Sequence, residues 1–273
     1  MSEEGVIKET GGTPETVSRL IGEFRRLGVK PGMTLLLHAS LCSLGWVCGG
    51  AVSVILGIEA VLGEDGTLVM PSHSGDLSDP SRWQHPPVPP SWWLVIRSES
   101  PPYDPDLTPT RGIGVLAETF RKQKGVLRSG HPQLSFAARG RNAACITQGH
   151  SLDFGLGEGS PLARLYELDG CVLLLGVGYE CSTSLHLAEH RADYQGKTVI
   201  KDGAPVVIGG IREWREFTDI EYDESDFRSI GADFEKELPS EVNILKIGNA
   251  EARFMRQQKL VDYAAKWMTE KRR

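Results

Sequence analysis

The sequence predicts an α/β fold: a central mixed sheet flanked by helices, with an antiparallel β appendage. Three observations carry that expectation. Two short apolar runs, residues 34–38 and 67–70, bracket a helical pattern at 49–62, as in a parallel strand–helix–strand unit. A third run, 171–177, is apolar throughout, as suits a strand covered on both faces. After Val206 the pattern changes to alternation around Gly209-Gly210, which predicts an antiparallel ribbon.

Along the chain, Thr13-Pro14-Glu15-Thr16 reads as a helix start, with a cap hydroxyl, proline at the first helical position and an early acid. Val17, Leu20, Ile21 and Phe24 supply its stripe and Gly28 its stop. In the helix at 49–62, Val52, Ile55, Leu56, Glu59 and Ala60 keep a helical period. Residues 71–110 break the pattern: ten of the sixteen prolines lie there, with Trp83, Trp92 and Trp93, which predicts a long ordered excursion packed onto the core. A helix is expected at 114–124, short strands at 135–138 and 145–146, and a helix from the cap Ser160-Pro161 to Leu168. The 171–177 strand leads into a helix at 184–191. The antiparallel segment is expected at about 200–240. The last 24 residues read as a basic amphipathic helix with Phe254, Val261, Ala264, Trp267 and Met268 on one face. The span 1–273 is expected to form one domain.

Composition excludes several classes. A formal net charge of -6 argues against general nucleic-acid binding, which needs a basic face, and favours cationic partners. No apolar run approaches the roughly 20 residues of a membrane helix, and MSEEGVIKETGG lacks the apolar core of a signal peptide. Cys42, Cys48, Cys145, Cys171 and Cys181 form an odd, scattered set, which predicts reduced thiols and a cytoplasmic location.

The sharpest chemical cluster is Thr183-Ser184-Leu185-His186-Leu187-Ala188-Glu189-His190. On a helix, His186, Glu189 and His190 share a face, just beyond a buried strand, where open α/β folds bind ligands. Glu189 can orient His186 as a general base. The same H-x-x-E-H string is also the inverted zinc-protease signature, and a merely solvated helix face would look alike. His38 to Gly45 follows the first strand, where small residues let backbone amides point at an anion, or simply make a turn. His73 follows the second strand, Thr110-Arg111 precedes a helix, and Ser129-Gly130-His131-Pro132 reads as a turn with an exposed histidine. Cys42 and Cys181 are candidate acyl carriers only if a neighbour lowers their pKa.

Six ordered motifs make a resemblance: HASLCSLGWVCGG (38–50), LVMPSHSGDLSDPSRW (68–83), YDPDLTPTRGIGVLAE (103–118), RSGHPQLSFAARG (128–140), GEGSPLARLYELDG (157–170) and TSLHLAEH (183–190). Over nearly its whole length the chain resembles the aminoglycoside 3-N-acetyltransferases, which use acetyl-CoA as co-substrate and need no metal. The resemblance implies that His186 takes a proton from the accepting amine, that Glu189 assists it and that Thr183 helps position the thioester. It implies coenzyme contacts at Ser40, Leu41, Ser43, Leu44, Gly45 and Thr110. Asp76 is expected to face a cationic acceptor together with Asp219, Asp223 and Glu224, which lie in a segment, 213–241, with eleven acids against three bases. Glu180-Cys181-Ser182 departs from the asparagine common in the family, which leaves another amine acceptor open, as well as a coenzyme-binding protein without turnover. The packed Pro/Trp excursion and the C-terminal helix are candidate interfaces of a homodimer.

Overall fold

In the computed structural model, which describes residues 3–10 and 12–272, one seven-stranded mixed sheet lies between two helical layers. The elements run α1 (Glu3–Thr10), α2 (Val17–Leu27), β1 (Thr34–Ala39), α3 (Gly50–Leu62), β2 (Thr67–Pro71), α4 (Trp93–Glu99), α5 (Gly114–Arg121), β3 (Leu127–Arg128) and β4 (Phe136–Gly140). Then follow α6 (Ala143–Thr147), α7 (Pro161–Glu167), β5 (Cys171–Leu175), α8 (Ser184–Arg191), β6 (Val199–Ile208), β7 (Ile211–Ile220), α9 (Phe227–Glu237), β8 (Val242–Ile247), β9 (Ala250–Arg256) and α10 (Gln257–Lys271). The expected span of 1–273 runs past the described residues at both ends.

Strand order is β3-β4-β2-β1-β5-β9-β8. The central trio β2, β1 and β5 is parallel, and both flanks are antiparallel. Side chains alternate between two cores. Leu35, Leu37, Leu68, Met70, Leu173 and Leu175 face the layer of α2, α3 and α5. Leu36, Val69, Val172 and Leu174 face the layer of α6 to α10. Coverage on both sides is why these strands read as unbroken apolar runs.

Four expectations about the helices and their stripes are corrected first. Thr16, not Thr13, caps α2: its side chain accepts the Arg19 N–H, while Glu15 bridges to Val47. In α3, which is apolar nearly all round, Val52 and Leu56 are exposed and Val54, Ile58 and Val61 are buried instead. Residues 145–146 belong to α6, because Ala143 and Ala144 extend a helical turn that Ile146 anchors in the core. Phe254 lies on β9, paired with Leu173, because Gly248-Asn249 turns a β8–β9 hairpin onto the sheet and only then does α10 begin.

The antiparallel appendage is a separate two-stranded ribbon, β6–β7, in continuous register from Val199↔Ile220 to Ile208↔Ile211. It ends at Ile220 rather than near 240, and α9 occupies much of the remainder. The proline-rich excursion is fixed to this ribbon. Arg97 forks onto Asp79 at 2.8 and 3.0 Å, the Asp79 N–H donates to Asp202 at 2.8 Å, and Arg212 donates to Ser100 O. Trp83 donates to Ser78 and is half-buried, as is Trp93, whereas Trp92 is largely exposed.

His131 is fully buried, not the exposed turn residue its surroundings suggest. Its Nδ1 accepts the N–H groups of Gln133 and Leu134, so Nε2 carries the proton and donates to Leu152 O. His150 donates to Gly155 O at 2.6 Å and accepts from Ser129 at 2.8 Å. Burial holds both imidazoles neutral, down to about 4 for His131 and about 3 for His150. The unfolded chain protonates them below about 6.5, so their contribution is complete above that pH and is lost as pH falls towards the folded values. Urea midpoints should therefore drop between pH 7 and 4.5. The slope should flatten by about 1.4 kcal/mol per pH unit in His131→Asn; an unchanged slope would remove His131 from this role.

Candidate active site

The three parallel strands end at one edge of the sheet, and each delivers a histidine there. β1 carries His38, His73 lies two residues beyond β2, and His186 is in the first turns of α8, beyond β5. All three line a cavity of about 560 Å³ together with Ser40, Thr183 and Tyr222. Its size is that of a small-molecule or cofactor cleft.

Helical spacing brings His186 and Glu189 together at 3.0 Å, Nδ1 to Oε2. Glu189 is fully buried, and its other oxygen accepts from Arg272 at 2.7 Å and from the Asp223 N–H at 2.9 Å. Opposite, His186 Nε2 lies 3.5 Å from Glu224 Oε1. Tyr222 and Phe227 pack their rings on the imidazole at 4.6 and 5.0 Å. Burial disfavours the imidazolium, but the hydrogen bonds to Glu189 and Glu224 outweigh it and raise the His186 pKa above its usual value. Thr183 Oγ1 is 3.3 Å from His38 Nε2. Burial and then His186 push His38 down to about 3, so it is neutral. His73 is likewise lowered to about 3, mainly by burial, and its Nε2 has no hydrogen-bond partner.

The expected residues separate into groups. His186, Thr183, Ser40, Leu41 and Glu224 line the cavity, and Glu189 stands behind His186. Ser43 bonds the Ser40 hydroxyl at 2.9 Å, whereas Leu44 and Gly45 are buried against the β8–β9 turn, so these three shape the loop without lining the cavity. Thr110 is tied to Glu118 through its hydroxyl at 2.7 Å; the wall behind it is Gly112–Leu116. Asp76 pairs with Arg111 outside the cavity. Asp219 is buried, accepting from Tyr222 at 2.8 Å and from the Gly155 N–H, and burial raises its pKa. The Asp223 carboxylate caps the Ser225 N–H.

Sequence reasoning missed three participants. His38 and Tyr222 line the cavity, and Arg272 meets Glu189 across 83 positions. His38 was legible as a strand-end histidine; nothing local marks the other two. His190 Nε2 turns to the Tyr222 hydroxyl and Asp219, whereas the His186 nitrogens face Glu189 and Glu224, which does not suit a shared zinc ion. Cys181 lines the cavity, but burial and the nearby Glu180 and Glu224 raise its pKa, the opposite of an activated thiol. All five cysteines are free, and no described helix is long and apolar enough to cross a membrane.

With the geometry in view, a family model described as aminoglycoside 3-N-acetyltransferase matches residues 36–269. The chain belongs to the aminoglycoside 3-N-acetyltransferase family. It is 45% identical over 262 residues to the SPbeta prophage-derived aminoglycoside N(3')-acetyltransferase-like protein YokD of Bacillus subtilis (strain 168), covering 96% of this chain and 95% of that one. The crystal structure of YokD superposes with a TM-score of 0.94 at 42% identity, covering 98% of each chain. Aminoglycoside N(3)-acetyltransferase VII of Streptomyces paromomycinus is 34% identical, covering 99% of this chain and 97% of that one. AAC-IIIb, solved as a binary complex with CoASH, has a TM-score of 0.84 at 30% identity, covering 94% and 97%.

Tyr222 bridges the cavity to the buried Asp219. Replacing it by Phe keeps the ring on His186 but leaves a buried carboxylate one donor short. Tyr222→Phe should cost about 1–3 kcal/mol in urea denaturation. No loss of stability would show that the hydroxyl is dispensable to Asp219.

Proposed function

We propose that the chain transfers the acetyl group of acetyl-CoA to an aminoglycoside, at its 3-amino group, in a ternary complex with His186 as general base. The observation that carries this reading is His186 at the cavity wall, with one nitrogen on a fully buried carboxylate and the other facing Glu224. Acetyl-CoA, when bound, supplies a thioester carbonyl open to attack by an unprotonated amine. The residues present suit it: the buried Nε2 of His73 awaits a polar partner, and Gly112 and Gly114 leave the wall open. Ser40 and Leu41, which line the cavity, are the residues we propose to contact the coenzyme, with Ser43, Leu44, Gly45 and Thr110 holding their segments in place.

The mechanism follows from the proton positions. The acceptor arrives as an ammonium, and Glu224 attracts that charge to the His186 side of the cavity. The Nδ1 proton stays on His186, hydrogen-bonded to Glu189, which leaves Nε2 as the base. As the amine nitrogen bonds to the acetyl carbon, His186 takes one proton at Nε2 and returns it to the sulfur as the C–S bond breaks. The ammonium loses two protons, one released to solvent before attack so that a neutral amine is the nucleophile, and one relayed by His186 to the thiol, and His186 ends as it began. Thr183, held against neutral His38, offers its hydroxyl to the charge developing on the acetyl oxygen.

One observation favours a different amine as acceptor. Of the four acids expected to face a polycation, Glu224 alone lines the cavity, joined there by Glu180, which pairs with Arg228 at 3.2 Å. Thiol release from acetyl-CoA, measured against aminoglycosides with and without the 3-amino group, decides between the two. Turnover that depends on that group supports the first reading; turnover only with other amines supports the second, and coenzyme binding with no turnover would leave a binding protein.

His186→Ala should lower kcat by about 10²–10⁴-fold with coenzyme binding retained. Near-normal transfer would remove the base role. Because neutral His186 is the active form and its pKa is raised, kcat/KM should fall on the acid side with a midpoint above about 6.5. Initial-rate plots should intersect; parallel lines would point to an acetyl-enzyme instead.

A further inference from the structure

Arg272, which follows α10, joins both sides of the His186 environment. Its Nη1 donates to Glu189 Oε1, Nε and Nη2 fork onto the Asp226 carboxylate, and Nη2 also reaches Asp223 O, each at 2.7 Å. The guanidinium side chain is 9% exposed and stacks over Tyr194 at 4.9 Å. Glu189 is thus a shared carboxylate, with His186 on one oxygen and Arg272 on the other. Asp223 and Asp226 flank Glu224, so the same cation pins the segment that carries the second carboxylate facing His186.

Sharing matters because a buried carboxylate with a single cationic partner would bind that partner's proton strongly. The groups around His186 are Glu189 and His190 from α8, Thr183 at its start, Glu224, Tyr222 and Phe227 from the segment after β7, and neutral His38 and His73 from the strand ends. Beyond Glu189 stand Arg272, the Asp223 N–H and Tyr194, with Lys197 held on the carbonyls of His190 and Ala192. Arg272 is the cation in direct contact with the carboxylate that His186 uses.

We propose that Arg272 is a positioning residue for acetyl transfer: by drawing on the Glu189 carboxylate and holding the 223–226 segment, it keeps His186 free to accept a proton near neutral pH. This rests on the reading of His186 as base. An arginine suits the task because its planar fork serves two carboxylates at once and stays charged.

The test is the full-length Arg272→Gln protein, read by NMR titration of the His186 imidazole and by the pH dependence of kcat. The His186 midpoint should rise by about one pH unit, which cuts kcat near neutral pH by up to about tenfold. Activity should recover at alkaline pH, with KM for acetyl-CoA little changed. A merely structural role would lower activity at every pH and leave the titration in place. A folded Gln variant whose midpoint stays or falls overturns the proposal. Arg272→Lys keeps a cation, so its midpoint should remain at the wild-type value; a rise as large as that expected for Gln also overturns it, even if the Gln variant does not fold. If His186→Ala is fully active, the base reading fails whatever the titration shows. If His186→Ala is inactive and the Gln titration is flat, the positioning role alone fails.

Discussion

Glu189 has no exposure to water, and an ionised carboxylate in that position costs several kcal/mol unless donors surround it. Much of the site exists to meet that demand. His186 takes one oxygen, and Arg272 with a backbone N–H takes the other. Each donor comes from a different part of the chain: α8 itself, the residue beyond α10, and the loop after β7. The carboxylate therefore gathers three segments that no shared strand connects. Its own pKa stays below the usual range because these donors outweigh burial, so it remains an anion that can orient an imidazole.

The sheet supplies the second condition. Three neighbouring parallel strands must end at the same edge, and between β1 and β2 helix α3 carries the chain back across one face. Residues just past those ends converge without any hydrogen bond between the strands' side chains. In this chain the convergent residues are histidines of opposite character. His38 is buried, the half-buried His73 has its Nε2 shielded, and with no carboxylate beside them both stay neutral, whereas His186 has two carboxylates and is raised. Environment, rather than residue type, separates a base from two uncharged hydrogen-bonding groups.

This division explains what the sequence reveals. The parallel core was legible because strands covered on both faces must be apolar without interruption, as 35–37 and 171–175 are. The His186–Glu189 pair was legible because helical geometry joins positions three apart. The β8–β9 hairpin was not read, although Gly248-Asn249 is a turn dipeptide, because apolar residues from Phe254 onward also fit a helical stripe and the longer pattern prevailed. Tyr222 and Arg272 leave no local signal at all. Their hydrogen bonds to α8 cross 32 and 83 positions, to His190 and Glu189 respectively, and only the assembled fold creates them. The ribbon's end at Ile220 was blurred for a similar reason, since the acidic composition continues unchanged into α9.

That acidic composition also shows why charge density along a sequence is a poor map of a binding surface. Between Glu213 and Glu241 most carboxylates have structural partners. Glu221 holds Arg82, Asp226 holds Arg272, Asp233 accepts from Trp267 and Lys271, and Glu235 holds Arg253. Asp219 is consumed by Tyr222 and backbone amides. Glu224 remains, half in solvent and half against His186, and binding of the imidazolium keeps it ionised. A cation entering the cavity thus meets one well-placed carboxylate at the reacting end, while the remaining negative charge acts at a distance through the net charge of -6. Attraction to the protein and alignment at the base are separate properties, and in this fold they reside in different residues.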